Sequence, residues 1–157
     1  MNKEALSYAL AVLAGRRYTT AQLEQKLKKR HYAEDTIGKV LAYCQERRYL
    51  DDYEFARLWV EDRIRLKPMG RWRLKQELGR KGVPLNLIER VLDELLPEER
   101  ELDLAKQLLE EQMIKRAKKE AVPCKVFNYL IRRGFSRQTI CRGAQQLGLS
   151  ICNHDQT

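Results

Sequence analysis

Histidine is nearly missing from this 157-residue sequence, with only His31 and His154. No H-E-x-x-H, P-loop, G-x-S-x-G or G-x-G-x-x-G stretch occurs either. The carboxylates sit mostly on helices beside basic residues, as with Glu24 and Lys28 four apart, a spacing that makes surface ion pairs. These absences argue against an enzyme. The four cysteines, Cys44, Cys124, Cys141 and Cys152, form no CxxC pair and none of the close spacings of structural zinc sites, so reduced thiols, no metal and no cofactor are expected. Cys44, one turn beyond Val40 and Leu41, reads as a small core residue. The longest apolar run, Tyr8 to Ala14, is far short of the ~20 residues of a membrane span, and no leader pattern opens the chain. A cytoplasmic protein that makes no membrane contact is expected. β-branched residues are sparse and no stretch alternates with period two, which argues against a sheet.

What is abundant is charge. Lys and Arg total 31 against 22 Asp and Glu, a formal net charge of +9, while 43% of residues are hydrophobic. That supply can furnish a core, and the positive field suits an anionic partner: nucleic acid, an acidic protein surface or anionic lipid.

An internal repeat organises the chain. LKKRHYAEDTI from Leu27, LGRKGVPLNLI from Leu78 and LIRRGFSRQTI from Leu130 superpose at offsets of 51 and 52 residues. The alignment pairs Leu27, Leu78 and Leu130; Arg30, Lys81 and Arg133; His31, Gly82 and Gly134; Tyr32, Val83 and Phe135; and Ile37, Ile88 and Ile140. One turn earlier it also pairs Leu23, Leu74 and Val126. Basic residues in a last helical turn meet the negative end of the helix dipole, and Gly just beyond permits the left-handed C-cap. His31 occupies that position in the first copy, as one of the non-glycine residues that tolerate it. The next apolar residue then pins the turn to the core.

Start signals match the stops: a capping box at Thr19 to Gln22, the same logic at Asp51 and Glu54, Ser136 as a cap, and Pro84 and Pro123 in first turns. Apolar periodicity predicts nine helices, near 3–15, 20–30, 34–48, 52–66, 71–81, 84–96, 98–119, 122–133 and 137–147. The expected fold is all-α, an elongated array of three tandem three-helix repeats over 1–50, 51–97 and 98–148, with a frayed tail over 149–157.

The strongest local charge is Arg63 to Lys81, where Arg63, Arg65, Lys67, Arg71, Arg73, Lys75, Arg80 and Lys81 face only Glu77. On a helix from Arg71, Leu74 and Leu78 face the core, and the cations spread over the other side around Trp72, which is either part of that face or a core residue. Cations with an aromatic among them suit phosphates and stacked bases. Lys26, Lys28, Lys29 and Arg30, and then Arg132, Arg133, Arg137 and Arg142, occupy equivalent helix ends, so the repeat repeats its charge. Between lies an acidic span, Asp93, Glu94, Glu98, Glu99, Glu101, Asp103, Glu110 and Glu111, relieved by Arg100 and Lys106. Such segregation suits a protein partner with surfaces of both signs.

The run from Tyr49 to Val83 resembles the RecX family, bacterial regulators of the RecA recombinase. The resemblance rests on Leu50-Asp51-Asp52, on Phe55-Ala56 with Trp59, on Gly70, and on Arg71, Leu74, Leu78, Lys81 and Gly82. The flanking repeats are similar to the family too, although the third departs from it at Pro123 and Cys124. The resemblance implies tandem three-helix units that bind RecA filaments on DNA within their groove and restrain recombination and the linked co-protease activity. DNA is then a secondary contact and the free chain a monomer. The rival reading is a direct DNA-binding helical module, since a three-helix unit with a basic helix is also similar to a helix-turn-helix.

Overall fold

A computed structural model describes residues 1–151. Among them are nine α-helices: α1 (Lys3–Gly15), α2 (Thr20–Lys29), α3 (Glu34–Glu46), α4 (Asp52–Leu66), α5 (Arg71–Arg80), α6 (Leu85–Leu95), α7 (Glu98–Lys115), α8 (Cys124–Arg132) and α9 (Arg137–Gln146). The fold is an all-α helical repeat, as expected.

The repeated sequence pattern is one piece of geometry used three times. His31, Gly82 and Gly134 adopt positive φ (62°, 84° and 93°) just past the ends of α2, α5 and α8. The following amide then reaches back five residues in each copy: Tyr32 donates to the carbonyl of Leu27 (3.4 Å), Val83 to Leu78 (3.1 Å) and Phe135 to Leu130 (3.2 Å). This is the Schellman stop, whose two ends are apolar and close together. It explains the consensus: Leu, then a basic residue, then a left-handed residue, then an apolar residue. Leu27, Leu78 and Leu130 are fully buried, as are Leu23, Leu74 and Val126.

The described residues form two compact units, residues 1–59 with 77–91, and residues 60–76 with 92–151. The core of the first joins Ala5 and Ala9 of α1 to Leu23 and Leu27 of α2 and to Ile37, Val40 and Cys44 of α3. Alanine on α1 lets that helix approach closely. The core of the second joins Ala105, Leu108 and Leu109 of α7 to Val126, Phe127 and Leu130 of α8 and to Ile140 and Ala144 of α9. The same repeat positions therefore fill both cores.

Each unit also holds one joint at which the turn of a later repeat meets the start of an earlier repeat's second helix. In the first, Thr19 caps α2 through a full capping box with Gln22. Its hydroxyl also donates to the Lys81 carbonyl (2.6 Å), and the Thr20 amide donates to an Asp52 carboxylate oxygen (2.8 Å). In the second, the Gly70 amide donates to the Arg133 carbonyl (2.7 Å), the Trp72 amide to Gly134 (3.3 Å) and the Arg71 amide to a Glu101 oxygen (3.1 Å). Both joints set the electropositive start of one helix against the carbonyl-rich end of another, with a carboxylate completing the cap. The approach needs glycine. A Cβ on Gly82 would lie 2.4 Å from Ala21 Cβ, and one on Gly134 would lie 2.3 Å from Arg73 Cβ. His31, at the equivalent turn, is exposed and keeps its side chain.

Five sequence expectations are corrected. The seventh helix stops at Lys115 and not at 119, because Ala117 takes a positive φ (51°) and the Lys118 amide returns to the Met113 carbonyl (3.0 Å), a Schellman stop without glycine. The eighth begins at Cys124 because Ala121–Val122 are extended. They pair in parallel with Ser150–Ile151, so the expectation of no sheet fails there, and fraying fails at 150–151. Val122 is fully buried, and its packing holds the pair against the second core. Pro123 stands at the N-cap of α8 and Pro84 just before α6, one place ahead of the first turn. Cys152, His154 and the rest of 152–157 lie outside the described residues.

Candidate interaction surface

The cations singled out in the sequence lie on α2, α4, α5 or α8 or in the turns that follow them, apart from Arg137 and Arg142 on α9 and Arg100 and Lys106 on α7, and the local helix geometry sets their roles. Arg30, Lys81 and Arg133 share one position of the repeat, and all three lie over aromatic rings. Arg30 is 4.1 Å from the Tyr8 ring centre, Lys81 5.1 Å from that of Trp59, and Arg133 5.6 Å from that of Tyr129. Tyr8 and Trp59 are themselves separated by the repeat offset of 51. This basic position is thus partly a packing feature, a cation held on the electron-rich face of a ring. Trp59 is held in turn by its indole N–H, which donates to Glu77 (3.0 Å).

Other predicted contacts are engaged inside the molecule. The Arg71 guanidinium binds Asp93 (2.6 Å) and Arg73 donates to the Arg132 carbonyl (3.3 Å). Arg65 pairs with Asp62 (3.4 Å) and Lys28 with Glu24 (2.6 Å), while Arg63 and Lys75 are not free either. The Glu24 carboxylate raises the Lys28 pKa, first through its hydrogen bond and then through its charge. Lys29, Lys67, Arg80 and Arg132 have no side-chain partner among the described residues, and all four are exposed. Trp72 settles on the surface at 59% exposure, which decides the alternative left open by its position.

The expected segregation of charge is corrected in the second unit. Asp93 pairs with Arg71, Glu98 with Arg142 (2.5 Å), and Glu101 accepts the Arg71 amide. Three carboxylates of the acidic span thus face a helix start or guanidinium groups of the same unit. Glu101 is half-buried. Burial pushes its carboxyl up, against the Arg71 N–H and charge, and Glu98 adds to the rise.

Arg16, Arg17 and Arg48 went unremarked in the sequence, although a tripeptide, Arg-Arg-Tyr, marks both places, at Arg16–Tyr18 and Arg47–Tyr49. In the first unit these two corners line one cleft of about 160 Å³. Among the described residues no group of three His, Cys, Asp or Glu side chains is placed to hold a metal, and no helix is long and apolar enough to cross a membrane.

Two family models match the chain: the first three-helix domain of RecX over residues 5–44 and the second three-helix domain of RecX over residues 51–92. Among curated relatives, the regulatory protein RecX of Prosthecochloris aestuarii is 34% identical over 149 residues, covering 92% of this chain and 94% of its own length. That of Chlorobaculum tepidum is 35% identical, covering 87% and 83%. The crystal structure of RecX from Lactobacillus salivarius superposes with a TM-score of 0.81 at 21% identity, covering 92% of this chain and 94% of that one.

Proposed function

The chain belongs to the RecX family of regulatory proteins, and on that footing we propose that it binds filaments of the RecA recombinase on DNA, in their groove, and restrains recombination, nucleotide hydrolysis and co-protease activity. The action is non-covalent and takes place in the cytoplasm. The three repeats, over 1–50, 51–97 and 98–148, act as successive contact modules of a monomer that bridges neighbouring RecA subunits and opposes their conformational cycle.

The observation that carries this reading is the repetition of exposed cations, without side-chain partners among the described residues, at equivalent helix ends: Lys29 in the first copy, Arg80 in the second and Arg132 in the third, with Lys67 and Trp72 exposed as well. A helical nucleoprotein filament offers phosphate and acidic protein at regular intervals, and a repeat that repeats its charge is suited to such a partner. Arg71 and Arg73 serve more to hold the joint than to reach outward.

The test replaces Lys29, Lys67, Arg80 and Arg132 by Ala in one chain and measures inhibition of RecA-promoted strand exchange at low and moderate salt. Inhibition should weaken and become less salt-dependent, since fewer counterions are released. Unchanged inhibition at both salt concentrations would refute the assignment. Loss of binding to DNA alone, with no gain in wild-type affinity when RecA coats the DNA, would favour the direct DNA-binding module instead.

A further inference from the structure

We propose that the cleft between the two Arg-Arg-Tyr corners of the first unit is a docking site for a peptide segment of a protein partner that sets carboxylates beside an aliphatic or aromatic side chain. This site is separate from the helix-end cations above and does not rest on the RecA reading. Its walls come from the end of α1 and the turn after it, and from the turn between α3 and α4 with the first turn of α4.

Three guanidinium groups, Arg16, Arg17 and Arg48, line the cleft, and none of them has a carboxylate within salt-bridge distance among the described residues. The two acids in the lining are already committed. Asp51 caps α4 by accepting the Glu54 amide (3.0 Å), and Glu54 holds Arg57 (2.6 Å). The Arg17 charge nevertheless reaches Glu54, adding to the lowering of its pKa that the Arg57 hydrogen bond begins. Unpaired cations facing a concavity are a standing positive potential.

The cleft continues, through Leu13 and Tyr49, into an apolar hollow lined by Leu10 and Ala14. Leu10, Leu13 and Ala14 are spaced as one stripe of α1, and Tyr49 is 53% exposed. One end therefore takes anions and the other an apolar side chain.

A nucleic-acid strand fits less well, because the aromatic faces that would stack its bases are mostly taken. Arg16 and Lys26 lie over the Tyr18 ring (4.6 and 5.3 Å), and Phe55 stacks on Trp59 with ring centres 6.1 Å apart. Aliphatic Leu10 and Leu13 offer nothing to a phosphate. Charge complementarity with an apolar neighbour is the signature of an acidic, amphipathic peptide.

The full chain is titrated into a short fluorescein-labelled peptide with Leu and Phe flanked by Glu, into the same peptide with Lys for Glu, and into oligothymidylate. The Glu peptide should bind in a salt-dependent way and the Lys peptide should not. The variant Arg16→Gln/Arg17→Gln/Arg48→Gly should weaken Glu-peptide binding about tenfold, ~1.4 kcal/mol, with oligothymidylate binding unchanged. Gly at position 48 suits the positive φ there (57°), so the fold is expected to persist. Tyr49→Ser, a single surface change, supplies a second reading at the apolar end and should also weaken the complex. Failure of the Glu peptide to bind the wild-type chain, equal affinity of wild type and both variants, equal binding of the Lys peptide, or loss of oligothymidylate binding in the variants would each overturn the proposal.

Discussion

Gly134→Ala is the sharpest test of how the second unit holds together. A Cβ there would stand 2.3 Å from Arg73 Cβ and 2.5 Å from the Arg73 backbone nitrogen, on a residue whose φ is 93°. Neither neighbour can give way by rotating a side chain, so α5 and the Gly134 turn must separate. The left-handed conformation costs an L-residue about 1–2 kcal/mol. Separation also strains the amide bonds from Gly70 to Arg133 (2.7 Å) and from Trp72 to Gly134 (3.3 Å), each worth about 0.5–1.5 kcal/mol net. The expected loss is about 2–5 kcal/mol, measured by urea denaturation with circular dichroism at 222 nm. Gly79→Ala is the matched control: Gly79 lies within α5 with nothing near its missing Cβ, and Ala there should stabilise by about 0.5–1 kcal/mol. A Gly134→Ala chain within ~1 kcal/mol of wild type would refute the joint as the reason for glycine.

Three further outcomes follow from the packing and the caps. Leu78→Ala should cost about 2–5 kcal/mol, the range for a fully buried Leu truncation; an unchanged melting temperature contradicts its place in the repeat core. Thr19→Ala removes both a helix cap and the hydroxyl bound to the Lys81 carbonyl, and denaturant titration should register a loss of about 1–3 kcal/mol. Burial raises the Glu101 carboxyl in the folded chain, so its contribution to stability is most favourable in acid and is lost as pH rises through that raised value. Glu101→Gln, which keeps an oxygen for the Arg71 amide, should gain on wild type mainly above that value, and a gain that persists unchanged into acid would count against burial as the cause.

The sequence by itself determined the repeated element. Leu at the third-last helical position, a basic residue, a left-handed residue and an apolar residue form a local rule of helix termination, and local rules are written in adjacent residues. The nine helices, the left-handed His31, the caps at Thr19, Asp51 and Ser136, and the burial of Leu27, Leu78 and Leu130 were all legible for that reason. The family resemblance was legible for the same reason, because its motifs are contiguous.

Only tertiary structure decided which charges remain available, since pairing depends on residues far apart in the chain. Arg71 meets Asp93, Arg142 meets Glu98, and Arg73 reaches the Arg132 carbonyl. Tertiary structure also placed Trp72 outside, converted Ala121–Val122 into a strand against Ser150–Ile151, and brought two Arg-Arg-Tyr tripeptides to one cleft. Gly82 and Gly134 join the two levels: each ends its own helix, a local matter, while the helix start packed against it forbids any other residue, which no stretch of neighbouring sequence could state.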